Sequence, residues 1–360
     1  MSSSHKVIED FINLQQRNAL VHVVRVAVEL GILGALVSGQ KPLQQLAEEL
    51  NLQSGPLQKL MNVLENSELI ERYQEDYALS SLARLIPAAY LDFGDNYWIH
   101  LEAFIRTGRS MAGPLDSQIE NQMCLSNQTV VETTQEAGEK AVEKVSHPCL
   151  DYRLQKLSES WMLTPQALEL AQLLDLGRSR RSLRILEIGS GVGVFSATLA
   201  HQDPNSVINL LDTKEGADKS RKTIESLSLQ RQADVIEVDN LFQLDLVEEL
   251  EGQQYDLFVL PGLIHRIDGD QLGQLLRQLT KLANKGSEIS IIDVFSGQEG
   301  GEMVYSIFDL ELQLRTELGS LHEPHKLTTL LKETGWSDIQ FAFLRSPPPI
   351  WGVFLARIVD

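Results

Sequence analysis

At 360 residues, 43% of them hydrophobic, the chain is long for one core and rich enough in apolar side chains to fill two, so two domains are expected. Its net charge of −19 opposes attraction to nucleic acid or to an anionic membrane surface, and neither is an expected partner. Two cysteines, Cys124 and Cys149, no apolar run of membrane-spanning length, and a Met1-Ser-Ser-Ser-His5 start without the regions of a secretory signal point to a reduced, cytoplasmic setting.

The first expected element is a long helix over Phe11–Leu36, with Val23, Val26 and Leu30 on one stripe and Val21, Val24 and Ala27 on another. A helix apolar on more than one face needs more than one surface to cover it. A short helix over Leu43–Leu50 follows, and then a third, with Ser54 as its N-cap and Leu57, Leu60, Met61 and Leu64 on one face. Leu69–Tyr73 and Tyr77–Ser80, joined by Gln74-Glu75-Asp76, read as a β-hairpin. Helix, helix, hairpin is the order of a winged helix. A DNA-reading winged helix carries a clustered basic face. Residues 1–90 instead hold seven Lys and Arg against ten Asp and Glu, and the candidate recognition segment Leu57–Glu65 has Lys59 as its single cation.

A connecting region over 96–175 separates this domain, 1–95, from the last, 176–360. It includes the polar stretch Asn121–Lys144 and ends near Trp161 and Met162. Leu183–Ser196 then runs from an apolar strand into Gly189, Gly191 and Gly193 and on into a helix-compatible segment. Closely spaced glycines let the backbone turn sharply and let a ligand approach where a Cβ would collide. A dinucleotide fingerprint would need a third small residue at Val194, and no Gly-Lys-Ser/Thr follows for a triphosphate. What stands there is Glu187-x-Gly189-x-Gly191-x-Gly193.

The second strand, Ser206–Asp212, ends in a carboxylate of the kind that accepts both hydrogen bonds of a ribose diol. The third, Asp234–Asp239, ends in another acid beside Asn240. The fourth, from Tyr255, leaves His265 just past its end, on the rim where open α/β sheets place ligands, ahead of an amphipathic helix capped by Asp268. Ile289–Asp293 is the fifth strand, Lys326–Thr334 a late helix, and Asp338–Leu344 and Ile350–Val359 a closing hairpin at the sheet edge. The eight histidines and two cysteines show no metal-ligand spacing, so no metal is expected.

The acidic G-x-G-x-G turn resembles motif I of the class I S-adenosylmethionine (SAM) methyltransferases. Val28–Leu36, Leu46–Leu52 and Leu64–Glu71 resemble the dimerisation domain of small-molecule O-methyltransferases of the plant caffeate and flavonoid type, their acetylserotonin relatives and bacterial natural-product counterparts. The fold implied is α/β: a Rossmann-like class I methyltransferase sheet with an α-helical winged-helix dimerisation domain at the N-terminus. The resemblance implies a homodimer and SAM as cofactor, held by Glu187, Gly189, Gly191, Gly193, Asp212, Asp239 and Asn240.

It also implies a small aromatic or enolic hydroxyl as acceptor, with His265 as general base. A lone loop histidine more often packs or caps; the resemblance and the rim position favour the base. An imidazole, with an unperturbed pKa of about 6.5, can take such a proton near neutral pH. Asp293 stands where the family places a first acid that orients the histidine. The second falls in register near Leu321, with Glu323 displaced by about two positions and His322 or His325 as substitutes; Glu323 itself reads better as an ordinary first-turn carboxylate, favoured by the helix dipole, than as a catalytic acid. Acceptor contacts are expected from Trp161, Met162, Met303, Phe308 and Asp309. The family's Asp-Trp after the histidine is replaced by Arg266-Ile267, which puts the substrate wall in question. The alternatives are C- or N-methylation, a drifted enzyme of the same fold, or a non-catalytic SAM-binding protein.

Overall fold

The computed structural model describes residues 3–84, 98–110, 160–189, 191–241, 245–316, 319–347 and 350–358. Both cysteines and the polar stretch 121–144 lie outside these residues. The chain divides into two compact units, Met1–Trp98 and Ile99–Asp360. Of the 96–175 region, the described helices Leu101–Thr107 and Thr164–Leu173 fall within the second of these.

In the first unit, α1 (Ser3–Glu29) and α2 (Ile32–Val37) replace the single helix expected over Phe11–Leu36. The break is at Gly31, whose φ of +76° is open to glycine and strained for residues with a Cβ. Then come β1 (Lys41–Pro42), α3 (Leu43–Glu49), α4 (Ser54–Asn66), β2 (Ile70–Tyr73), β3 (Asp76–Leu79) and α5 (Ser81–Arg84). The three strands form a sheet in the order β1-β3-β2, so the expected hairpin gains a third strand. Ser54 is the first residue of α4 and makes no cap: the flanking residue is Gln53, with no side-chain capping bond. The core of this unit gathers Val24, Ala27, Ile32, Leu36, Leu46, Leu57, Met61, Leu64, Ile70 and Tyr77. The buried residues of α1 lie in its C-terminal half, Val24 and Ala27, while Val7, Ile8, Phe11, Leu14, Val21 and Val26 are exposed, as is Leu30 just past its end.

The second unit begins with α6 (Leu101–Thr107) and, after a 3-10 turn at Ser160–Leu163, α7 (Thr164–Leu173). Its sheet is made by β4 (Arg184–Ile188), β5 (Val207–Thr213), β6 (Ala233–Val238), β7 (Tyr255–Pro261), β8 (Ala283–Val294), β9 (Ser337–Phe343) and β10 (Trp351–Arg357). The helices are α8 (Val194–Gln202), α9 (Lys214–Ser226), α10 (Leu246–Glu249), α11 (Gly269–Lys281), α12 (Glu302–Arg315) and α13 (Pro324–Glu333). Strand order is β6-β5-β4-β7-β8-β10-β9; the first five run parallel, and β10 is antiparallel to both neighbours. The last strand therefore inserts between β8 and β9, which leaves β9, not the hairpin as a whole, at the edge.

Both faces of this sheet are covered, which is why its central strands read as unbroken apolar runs. Along β7, Leu257 and Val259 enter the layer with α7 and α8, while Phe258 and Leu260 enter the layer with α11 and α13. Leu272, Leu275, Leu276 and Leu279 are the buried stripe of α11, and Asp268 caps it by accepting the Gln271 N–H at 2.8 Å. This packing fixes the carboxyl ends of β4, β5, β7 and β8 along one edge.

Candidate active site

The glycine turn leaves β4 with φ near +74° at Gly189, Gly191 and Gly193, three consecutive alternate positions in the left-handed region. A Cβ on Gly189 would stand 2.7 Å from Cδ1 of Leu263, and one on Gly193 would stand 3.2 Å from Oγ of Ser220. The turn is thus held against the loop that follows β7 on one side and against α9 on the other. Glu187, fully buried, accepts a hydrogen bond from Ser196 of α8, and the Ser220 hydroxyl donates to the Gly191 carbonyl at 2.9 Å.

Asp212 is buried at the end of β5, at the N-terminus of α9, where a negative charge is favoured. Its carboxylate accepts the Gly191 N–H at 3.0 Å and the Thr213 N–H at 2.7 Å. Gly216 makes room for it, because a Cβ there would lie 2.3 Å from the carboxylate carbon. Sequence reasoning found Asp212 and missed Gly216, Ser196 and Ser220; a glycine four positions after the acid was the available signal. Asp239 and Asn240 follow β6 and are exposed.

His265 lies in a 3-10 turn, Ile264–Arg266, four residues past the end of β7, and is 5% exposed. Its Nδ1 is 2.7 Å from Oδ1 of Asp293, and its backbone N–H donates to Oδ2 of the same carboxylate at 3.2 Å. A carboxylate can only accept, so Nδ1 carries the hydrogen and Nε2 is the basic nitrogen of the neutral ring. Burial alone pushes the Asp293 carboxyl up. The His265 charge, the ring N–H bond and the N–H groups of Val294 and His265 outweigh it and leave the pKa below the usual carboxylate range. Phe308 of α12 packs edge-on against the His265 ring, with centroids 5.4 Å apart.

The structure therefore brings together Glu187, the three glycines, Asp212, His265, Asp293 and Phe308 on one edge of the sheet. Glu323 flanks the N-terminus of α13, where its carboxylate is engaged by Lys326 at 2.7 Å and His325 at 3.4 Å. Lys326 lowers its pKa by hydrogen bonding. Asp309 is half-buried and accepts from Gln313 at 3.2 Å, whereas Met303 and Met162 are 71% and 43% exposed. Trp161 sits in the 3-10 turn before α7. Among the described residues, no group of His, Cys, Asp or Glu is arranged to hold a metal ion, and no helix is long and apolar enough to cross a membrane.

Residues 154–298 match the sequence profile of a family described as lysine methyltransferase. No curated protein sequence matches the chain. Solved structures match along nearly its whole length. Human N-acetylserotonin methyltransferase in complex with SAM is 19% identical, with a TM-score of 0.69 over 100% of this chain and 99% of that one. An O-methyltransferase family protein from Burkholderia thailandensis is 14% identical, with a TM-score of 0.69 and the same coverage. The mitomycin 7-O-methyltransferase MmcR is 16% identical, with a TM-score of 0.65 over 99% of both chains. At these identities the likeness shows the fold alone: a Rossmann-like methyltransferase sheet that follows a largely helical N-terminal unit.

Proposed function

We propose that this class I methyltransferase chain is a SAM-dependent O-methyltransferase acting on the hydroxyl of a small aromatic or enolic acceptor, with His265 as general base. The observation that carries the reading is the buried His265–Asp293 pair on the same sheet edge as the glycine turn. The turn fits SAM: three positive-φ glycines bring bare backbone to the carboxyl end of β4, packed tightly against Leu263 and Ser220, and Asp212 offers a buried carboxylate suited to a ribose diol. Asp239 and Asn240, after β6, are assigned to the adenine end. When bound, SAM supplies an electrophilic methyl group on a sulfonium sulfur.

The protein's own part is to hold the acceptor and take its proton. Asp293 fixes the His265 tautomer, Nε2 receives the hydroxyl proton, and the carboxylate balances the imidazolium that results. Base catalysis of this kind contributes about 10²–10⁴-fold. Orienting the acceptor oxygen contributes up to about 7–11 kcal/mol, so positioning outweighs the base. Phe308, with Tyr305 and Leu321 packed partly buried beside the sheet core, supports an aromatic acceptor.

A homodimer through the N-terminal unit accounts for the exposed apolar residues of α1, and the low cysteine content supports a cytoplasmic setting. N-methylation is the second reading, favoured by the lysine methyltransferase profile. That match ends at residue 298, before α12 brings Phe308 to the histidine, so it bears on the cofactor half and not on the acceptor wall. Transfer of labelled methyl from SAM to a panel of phenols, enols and amines separates the two by the atom that gains the label.

A further inference from the structure

We infer that His322 is a positioning residue that sets the His265 turn through its backbone. The turn is one 3-10 helix of three residues, Ile264–Arg266, closed by two backbone bonds: Arg266 N–H to Leu263 at 3.1 Å and Ile267 N–H to Ile264 at 3.2 Å. So short a helix has too few internal bonds to hold its own shape, and its terminal carbonyls are left over. His322 meets two carbonyls that bracket His265. Its Nε2 lies 2.8 Å from the Ile264 oxygen and 3.1 Å from the Ile267 oxygen.

Both partners only accept, so Nε2 carries a hydrogen shared between them. Two residues earlier, the Ser320 N–H donates to the His265 carbonyl itself at 3.0 Å. The segment 320–322 thus grips all three carbonyls at 264, 265 and 267, while Asp293 holds the ring and the amide of His265 from the other side. His322 occupies the stretch in which a second acid for the histidine was expected. The turn is braced there by a donor to the main chain.

The catalytic consequence rests on His265 being the base; the structural one does not. Two variants test it, His322→Phe, which keeps a ring and removes the donor, and His322→Gln, whose amide nitrogen can replace Nε2. Amide hydrogen exchange in the intact protein reads the brace. Exchange at His265 and Ser320 is expected to rise about tenfold in His322→Phe, with β4 and β7 unchanged, and to return to within about threefold of wild type in His322→Gln. Kinetically, the Phe variant should lose on the order of 10²-fold in kcat with KM for SAM unchanged, and the Gln variant should recover most of it. Wild-type protection at His265 and Ser320 in His322→Phe would overturn the inference, as would a Gln variant indistinguishable from Phe. Full activity in His265→Ala would remove the base assignment and leave the exchange result standing.

Discussion

Replacing Gly216 by alanine probes the cofactor side of the site with two effects of opposite sign. Gly216 is the third residue of α9, and inside a helix alanine is ordinarily better than glycine by about 1 kcal/mol. Here the new Cβ would stand 2.3 Å from both the carboxylate carbon and Oδ2 of Asp212 and 2.6 Å from Oδ1. The carboxylate must rotate or the helix must shift. Rotation releases the buried N–H groups of Gly191 and Thr213, now bonded at 3.0 and 2.7 Å. An unmet buried donor costs about 1–3 kcal/mol, so two lose about 2–6 kcal/mol against a gain of about 1. The expected result is a variant about 1–5 kcal/mol less stable by urea unfolding. Because the displaced group is the one assigned to the ribose, calorimetric titration with SAM should show Kd raised at least about tenfold, or 1.4 kcal/mol. Gly216→Ala with wild-type or greater stability and unchanged SAM affinity would refute both the packing argument and the role given to Asp212.

Asp293→Asn replaces one of the two oxygens that accept from His265 with an amide donor and removes the charge that balances the imidazolium, so it should lower kcat by about 10²–10⁴-fold in methyl transfer, no more than the whole contribution of a base. Its folded pKa lies below the usual value, so the stability Asp293 supplies is complete above about pH 4 and is lost as pH falls through the folded pKa. The stability advantage of wild type over Asp293→Asn should narrow in that acid window; an advantage that widens there would contradict the assignment. Glu323→Gln breaks only solvent-exposed pairs with Lys326 and His325 and should leave kcat/KM within about threefold, since such pairs contribute at most about 1 kcal/mol. Phe11→Asp combined with Leu14→Asp places charge on exposed apolar residues of α1 and should convert the proposed dimer to a monomer in analytical ultracentrifugation; a dimer in wild type that persists in the variant would rule that face out.

The second unit was legible wherever local chemistry and periodicity agree. Apolar runs ending in Glu187, Asp212, Asp239 and Asp293 gave the parallel strands, and glycine spacing gave the turn, because both follow from what a buried strand and a close-packed ligand require. The insertion of β10 between β8 and β9 was not legible. Two adjacent apolar runs with Pro between them fit a simple hairpin as well as an inserted strand, and only pairing partners far along the chain decide. The break at Gly31 shows the same limit from the other side. Its neighbours keep helical periodicity, so the pattern continues while the backbone does not. In the candidate site, the pairing of His265 with Asp293 was expected through the family resemblance, which placed an acid at the end of the fifth strand, whereas the contacts of His322 to main-chain carbonyls leave no trace in residue type. Glu323 illustrates the reverse: the right kind of side chain near the expected register, with its carboxylate engaged by Lys326 and His325.

The central claim, proton removal by His265 followed by methyl transfer to oxygen, is tested most directly by labelled methyl transfer from SAM into phenols, enols and amines, with wild type and His265→Ala side by side. The account expects label on oxygen with wild type and a loss of about 10²–10⁴-fold in the variant while SAM binding is retained. Label on nitrogen or carbon, or transfer to oxygen undiminished in His265→Ala, would contradict it.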